Sequence, residues 1–261
     1  MLKFLHCVTD EKFIDGAIEL FESVRIHNHR FVCINDDFRE FRYIKSKEKV
    51  LILKKGDFIE FLKKEKCDIV ILHNLYSLPC DVIPLIPNEI KTVWFAWGWD
   101  LYQTPSVEHP FVKVKLFHKQ TRRYNREGRS QLHYYASLLR KRLKGIDRER
   151  EKCFRDAVKR IDYFSGCLPI EYNLMKKNKF FRAKQLEFSY QSPLYYENLK
   201  KNINAPSSIT GNDILVGNSA AITNNHLDVI EILKQERVYD KAIYMPLSYA
   251  GSQSYVEHVK K

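Results

Sequence analysis

No run of 18 apolar residues occurs anywhere in the 261-residue chain, so the sequence offers no membrane-spanning helix. It also has no Walker loop, no Gly-x-Ser-x-Gly elbow, no Cys-x-x-Cys pair and no His/Cys/Asp/Glu cluster at metal-ligand spacing. Phosphate-loop, serine-nucleophile and metal chemistry are therefore without sequence support. The opening stretch MLKFLHCVTDEKF reaches Asp10 after too few apolar residues for a signal peptide. The six cysteines, Cys7, Cys33, Cys67, Cys80, Cys153 and Cys167, are scattered and several lie in apolar runs, where a thiol packs as a small hydrophobe. The expectation is a reduced, cytoplasmic protein.

What the chain does contain is enough apolar material for a core: 44% hydrophobic and 13% aromatic residues. The length points to about two domains. The net charge of +12 is concentrated in one place. Residues 112–160 carry 17 basic and 5 acidic side chains, which leaves 27 of each for the rest of the chain.

Along the first hundred residues, strand and helix signals alternate. LKFLHCV (2–8), FVCIN (31–35), VLILK (50–54), DIVILHN (68–74) and TVWFAW (92–97) are near-continuous apolar runs. In FIDGAIELFESV (13–24), Ile14, Ala17, Ile18, Phe21 and Val24 share one helical face. Strands apolar on both faces predict a parallel sheet covered by helices. HYYASLLRKRL (133–143) is helical in pattern, PIEYNLMKK (169–177) likewise, and IDYFSGC (161–167) and KQLEFSY (184–190) resemble further strands. The polar stretch 198–212, containing Pro206, Ser207, Ser208 and Gly211, is the best domain boundary. After it, DILVGNS, the helical NHLDVIEILKQ (225–235), KAIYMPLSYAG (241–251) and the helical SYVEHVKK (254–261) make one βαβ unit and part of another. The expected organisation is an N-terminal domain over 1–197 including a basic helical segment 111–160, a linker 198–212, and the beginning of a second domain over 213–261. That second domain is too short to bury a sheet alone, so the chain is expected to be a shortened form.

The run NDILVGNSAAITNNH (212–226) ends a buried strand on Gly217, Asn218 and Ser219. Ligands in open parallel sheets bind beyond the carboxyl ends of the strands. Gly217 allows close backbone approach, and neutral amides beside a helix N-terminus suit an anion such as a phosphate. A plain turn followed by an N-cap is the structural alternative. VWFAWGWDLYQ (93–103) and MPLSYAGSQSYVEHV (245–259) end two other strands in the same way.

Together WGWDLY (97–102), ILVGNSAAITNNHLDVI (214–230) and YMPLSYAGSQSYVEHV (244–259) resemble the corresponding stretches of the TDP-N-acetylfucosamine:lipid II N-acetylfucosaminyltransferases, glycosyltransferase family 56. HNL (73–75) and FSYQSP (188–193) are weaker echoes in the same order, so the likeness runs from about His73 to the end. The resemblance implies an α/β, GT-B-like architecture: two Rossmann-like parallel-sheet domains, the N-terminal one meeting the acceptor, the C-terminal one holding the donor. It implies inverting transfer of a 4-acetamido-4,6-dideoxygalactose from a dTDP-sugar to a polyprenyl-diphosphate-linked glycan, with no cofactor and no metal. The chain departs from the family at Trp99, where a small residue is usual, and in its longer, more basic 112–160 segment.

Inverting transfer needs a base and a setting that holds the departing diphosphate. Asp100, the favoured candidate, and His73 are the candidate bases, against the simpler readings of an N-cap and a buried, bonded histidine. Gly217, Asn218 and Ser219, with Asn224 and His226, are expected at the diphosphate; Pro246, Ser248, Tyr249 and Gly251 at the donor or cleft wall; Trp97, Gly98 and Tyr102 on the acceptor side. No Lys or Arg lies between Ile214 and His226, so amides would have to hold the anion there. The basic segment 112–160 fits either a solvated helix face or the anionic inner face of a membrane. A nucleic-acid partner is not expected, because no reader motif is present. The alternatives are another GT-B enzyme, fucosyl or glucosyl, of capsule or O-antigen synthesis, or a non-catalytic basic binding domain. The shortened chain is expected to be inactive alone.

Overall fold

The computed structural model describes residues 1–24, 26–38, 40–103, 112–115, 117–127, 146–190, 197 and 211–261. The expected helix 133–143 and most of the expected linker lie outside them. The chain divides into two compact units, one formed by Met1–Lys113 with Ile146–Leu199, the other by Val114–Gly145 with Lys200–Lys261.

The first unit is built on strands β1 (Lys3–Val8), β2 (Asn28–Ile34), β3 (Val50–Leu53), β4 (Ile69–Leu72), β5 (Lys91–Phe95), β6 (Tyr163–Ser165) and β7 (Lys184–Gln185). They form one sheet in the order β3-β2-β1-β4-β5-β6-β7, every pairing parallel. This is the order of a Rossmann-like doubly wound sheet, whose direction of winding reverses between β1 and β4. The expected strand 184–190 is shorter than its apolar pattern, because only Lys184 and Gln185 pair with β6.

Successive side chains of a strand alternate between faces, and both faces here are covered. Helix α1 (Ile14–Glu22) lays Ile14 and Ile18 against Val8, Phe31, Cys33 and Val50 on one face. Helices α2 (Phe58–Glu65), α5 (Ile146–Arg160) and α6 (Pro169–Met175) place Phe58, Leu62, Phe154, Ala157, Val158 and Met175 against Leu5, Val32, Val70, Leu72 and Trp94 on the other. Burial from both sides is why the strands read as unbroken apolar runs. A short helix α3 (Gly98–Leu101) follows β5 directly.

Two devices fasten the second face. The Arg160 guanidinium at the end of α5 donates to Ile86 O (3.0 Å), Pro87 O (2.6 Å), Ile90 O (2.7 Å) and Asp162 Oδ2 (3.0 Å). One basic residue of the charge-rich segment is thus an internal clamp. Cys80, in the loop after β4, and Cys153 of α5 form a disulfide, their Cα atoms 5.7 Å apart. The expectation of six separate thiols is corrected at these two positions, because the loop and the helix meet only in three dimensions.

The second unit contains α4 (Lys119–Glu127), β8 (Ile214–Leu215), α7 (His226–Gln235), β9 (Ile243–Tyr244) and α8 (Gln253–Lys260). Strands β8 and β9 pair in parallel around α7, the βαβ arrangement expected from the sequence. Helix α4, which the sequence pattern assigned to the first domain, packs on α7. The Asp228 carboxylate in the first turn of α7 accepts from Gln120 N (2.7 Å) and Thr121 N (2.8 Å), and Asn225 Oδ1 accepts from His118 N (3.0 Å). These are orphan amides of the α4 N-terminus, where a carboxylate is favoured. No helix among the described residues is long and apolar enough to cross a membrane.

The disulfide gives a direct test. Denatured, unreduced protein is expected to present four titratable thiols, those of Cys7, Cys33, Cys67 and Cys167, and full reduction two more. Opening a link across 73 residues is expected to lower the unfolding free energy by about 4 kcal/mol in chemical denaturation; six thiols before reduction would overturn the pairing.

Candidate functional site

In the first unit the switch point between β1 and β4 is where a doubly wound sheet leaves its crevice. The loop after β1, Thr9 to Phe13, contains no glycine. It therefore lacks the tight turn that brings a dinucleotide pyrophosphate to the backbone. Instead Thr9 Oγ1 accepts from Asn74 Nδ2 (2.8 Å) across the two strand ends.

Asp100 lies at the start of α3 and is fully buried. Its Oδ2 accepts from Leu75 N (2.9 Å) and Trp94 Nε1 (2.9 Å), and its Oδ1 from Trp97 N (2.8 Å). Burial pushes its carboxyl up to about 7 while these donors hold it down. Both oxygens are occupied by structural partners, so the geometry is that of a fastener between β5, α3 and the loop after β4.

His73 follows β4 and is also fully buried. Its Nδ1 lies 2.6 Å from Tyr190 Oη, and its Nε2 lies 2.9 Å from Nδ1 of His6, in the middle of β1. His6 Nε2 is in turn 3.0 Å from Nδ1 of His29, near the start of β2. Period-two alternation places these three rings on one sheet face, walled by Phe21 and Phe31. Burial pushes His73 down to about 3, and burial together with the neighbouring rings lowers His6 well below the ordinary imidazole value. Both rings are neutral at physiological pH.

Above them stands an aromatic box. Trp97 Nε1 donates to His73 O (2.9 Å), and the Trp97 ring stacks on Tyr190 (5.2 Å between centroids) and leans on Phe13 (4.3 Å). All three rings are half-buried, and flat aromatic faces are polarised to receive C–H or cationic groups. A groove of about 590 Å³ is lined by Lys12, Asp15, Glu19, Arg42, Tyr43, Lys45 and Ser46. Gly98 opens α3, with room for a Cβ only 3.5 Å from the Tyr102 ring. Tyr102 Oη donates to Glu171 Oε1 (2.8 Å); burial first, and then this carboxylate, raises the pKa of the phenol.

In the second unit, Gly217 ends β8 at φ +68°, a left-handed conformation that costs a side chain dearly. A Cβ there would sit 3.0 Å from the Asn224 amide. Asn224 Nδ2 folds over the turn, donating to Ser219 O (2.8 Å) and Ser219 Oγ (3.2 Å), while Asn218 is exposed. The loop after β9 presses on the same turn. Tyr249 O accepts from Ala220 N (2.7 Å), and a Cβ on Gly251 would strike the Ala220 carbonyl oxygen. Pro246 is half-buried and Ser248 exposed in that loop. His226 at the first turn of α7 is buried, with Nδ1 3.3 Å from Tyr255 Oη and Nε2 covered and unpartnered among the described residues. No side chain caps α7 at Asn225.

The residues expected from sequence thus fall into two groups: His73, Trp97, Gly98, Asp100 and Tyr102 at strand ends of the first unit, and Gly217, Asn218, Ser219, Asn224, His226, Pro246, Ser248, Tyr249 and Gly251 in the two touching loops of the second. Sequence reasoning missed His6, His29 and Tyr190. The visible signal was a histidine inside an otherwise apolar strand, LKFLHCV. Among the described residues no three His, Cys, Asp or Glu side chains are grouped to hold a metal. The first unit is of Rossmann-like class. The chain matches no protein-family model and no curated protein sequence.

Stability should report the neutral rings. In the unfolded chain a histidine gains a proton near pH 6.5, whereas His73 in the fold stays neutral to about pH 3. Its contribution is present above pH 6.5 and is lost as pH falls, at about 1 kcal/mol per unit. Asp100 acts oppositely between about pH 4 and 7, where the fold retains a proton that the unfolded chain releases. With His6 and His73 against one Asp100, urea denaturation is expected to show net loss of stability from pH 6.5 to 4.5. His73→Phe should reduce that loss by one ring's share; an unchanged slope would refute the neutral, buried state of His73.

Proposed function

We propose that the protein is a glycosyltransferase that moves a deoxy-amino sugar, of the 4-acetamido-4,6-dideoxygalactose type, from a dTDP-sugar to a polyprenyl-diphosphate-linked glycan, with inversion and without a metal. The observation that carries this reading is that the stretches resembling glycosyltransferase family 56 occupy the carboxyl ends of parallel strands in both α/β units. In the first unit, the Phe13, Trp97 and Tyr190 rings offer a surface for the acceptor glycan. His73 with Tyr190 is the better proton acceptor there, because the Tyr190 hydroxyl can pass its own proton to His73 Nδ1, whereas the Asp100 oxygens are held by three structural donors. Asp100 instead positions the loop that carries His73.

In the second unit, the left-handed Gly217 turn, the exposed Asn218 amide and the α7 N-terminus without a side-chain cap suit a diphosphate. Asp228, the carboxylate nearest that terminus in sequence, is committed to α4. The donor base is the point on which a fucosyl or glucosyl transferase would differ. Thermal unfolding with dTDP, UDP and GDP separates these. A ligand at 100 times its Kd adds about 2.7 kcal/mol, so the melting temperature is expected to rise by several degrees with dTDP, less with UDP and GDP, and not at all in Gly217→Ala. No response to any nucleotide would defeat the reading.

The basic character of α4, with Lys119, Arg122, Arg123 and Arg126 against Glu127, supports peripheral attachment to the inner face of a cytoplasmic membrane, where the acceptor lipid resides. The aromatic and aliphatic residues Tyr134, Tyr135, Leu138, Leu139 and Leu143 of the same basic segment lie outside the described residues. Each basic residue near an anionic surface contributes about 1 kcal/mol. In flotation assays the protein should rise with phosphatidylserine-containing vesicles at low salt and remain below at high salt or with neutral lipid. Indifference to both variables removes the membrane claim.

A further inference from the structure

The row Tyr190, His73, His6 and His29 leads from the carboxyl end of the sheet to the opposite half of the same face, each ring within 2.6 to 3.0 Å of the next. Between neutral imidazoles each link needs one N–H and one lone pair, so fixing one end fixes all. A phenol is the stronger donor, and its Oη lies only 2.6 Å from His73 Nδ1. Tyr190 O–H therefore donates to His73 Nδ1, His73 Nε2–H to His6 Nδ1, and His6 Nε2–H to His29 Nδ1. His29 then carries its proton on Nε2, an atom with no partner among the described residues. We propose that these four side chains form a proton relay, which takes the proton of the acceptor's attacking hydroxyl at Tyr190 and lodges it on His29.

The proposal rests on the glycosyl-transfer reading for its purpose. In the step, the acceptor O–H bond breaks and its proton passes to Tyr190 Oη as the Tyr190 proton moves to His73 Nδ1. The Nε2 protons of His73 and His6 each advance one ring. The acceptor oxygen forms its bond to the anomeric carbon, and the carbon–oxygen bond to the diphosphate breaks with its electron pair going to the diphosphate. His29 ends as an imidazolium.

The environment along the row explains why the charge stops there. His6 and His73 are fully buried, facing each other and the Phe21, Phe31 and Phe95 rings, and a cation on either would be desolvated. His29 is only partly buried, stacks on Phe4, and faces His27 and the Glu22 carboxylate, which is paired with Lys49. It is the one imidazole of the row with an anion nearby, and Glu22 offsets part of the lowering that burial and His27 impose on it. The middle members never need to hold a positive charge, which makes a chain of neutral tautomers workable inside an apolar sheet face.

Ring-labelled histidine NMR on the full chain tests the relay independently of sugar transfer. His6 and His73 are expected as neutral Nε2–H tautomers at pH 7; as His29 gains its second proton, on Nδ1, at lower pH, both are expected to switch together to neutral Nδ1–H tautomers, because each link keeps one N–H and one lone pair. An imidazolium at His6 or His73, an Nδ1–H tautomer at either while His29 is neutral, or a protonated His29 with the other two rings unswitched overturns the proposal. In turnover assays, His6→Phe is expected to lower kcat about 100-fold with KM unchanged, and His29→Phe to abolish the fall of kcat at low pH that follows when His29 is already protonated. Should His6→Phe fail to fold, His29→Phe, at the more open end of the row, carries the kinetic test. Equal kcat and an unaltered pH profile in the folded variants would also overturn the relay. Where no transfer is seen, the ring tautomers decide the relay by themselves, and the glycosyl-transfer reading stands or falls on the nucleotide response.

Discussion

The Asp100 carboxylate is the constraint around which the first site is arranged. It gathers one amide from the loop after β4, one from the end of β5 and an indole from inside β5. Through Leu75 it fixes the chain two residues beyond His73, and through Trp97 it fixes the residue whose indole holds the His73 carbonyl. A charged or half-charged carboxylate with three donors in an apolar setting is expensive to disturb, since each donor it releases is left buried. The strand ends are therefore held rigidly, as a site for an oriented ligand requires. Arg160, holding carbonyls that precede β5, does the corresponding work at the opposite end of that strand with the opposite charge.

A sheet face that buries three histidines would ordinarily count against stability. Here each ring satisfies the next, and among the described residues the row's one unpartnered nitrogen is Nε2 of His29, at the partly exposed start of β2. Desolvation, normally a cost, keeps the row neutral and so keeps its hydrogen bonds directional. The same face carries Phe4, Phe21, Phe31 and Phe95, whose rings fix the imidazole planes by contact.

Much of the fold was legible because both-sided burial writes itself into a strand as an unbroken apolar run; β1 to β5 and the pairing of β8 with β9 follow from that pattern. What was not legible depends on distance in space. The Cys80–Cys153 link joins residues that no local pattern connects. The assignment of α4 to the second unit rests on Asp228 and Asn225 reaching residues 107 and 108 positions away. KQLEFSY alternates like a strand, yet beyond Gln185 it supplies Phe188 and Tyr190 to the aromatic cluster instead of to a ladder. At the sites, Gly217 and Gly251 could be picked from turn chemistry. His6 could not, because in one dimension a histidine inside a strand differs little from any buried polar residue.

The capping of α4 by the first turn of α7 has a mechanical side. Two helices whose starts are locked together by a shared carboxylate turn as one body, with Tyr124 lying across Tyr255 and His258 as a second point of attachment. The cationic rod is thereby geared to the helix that follows the glycine turn. Any pull on the rod from outside reaches the turn through Asp228 and Asn225 at the start of α7.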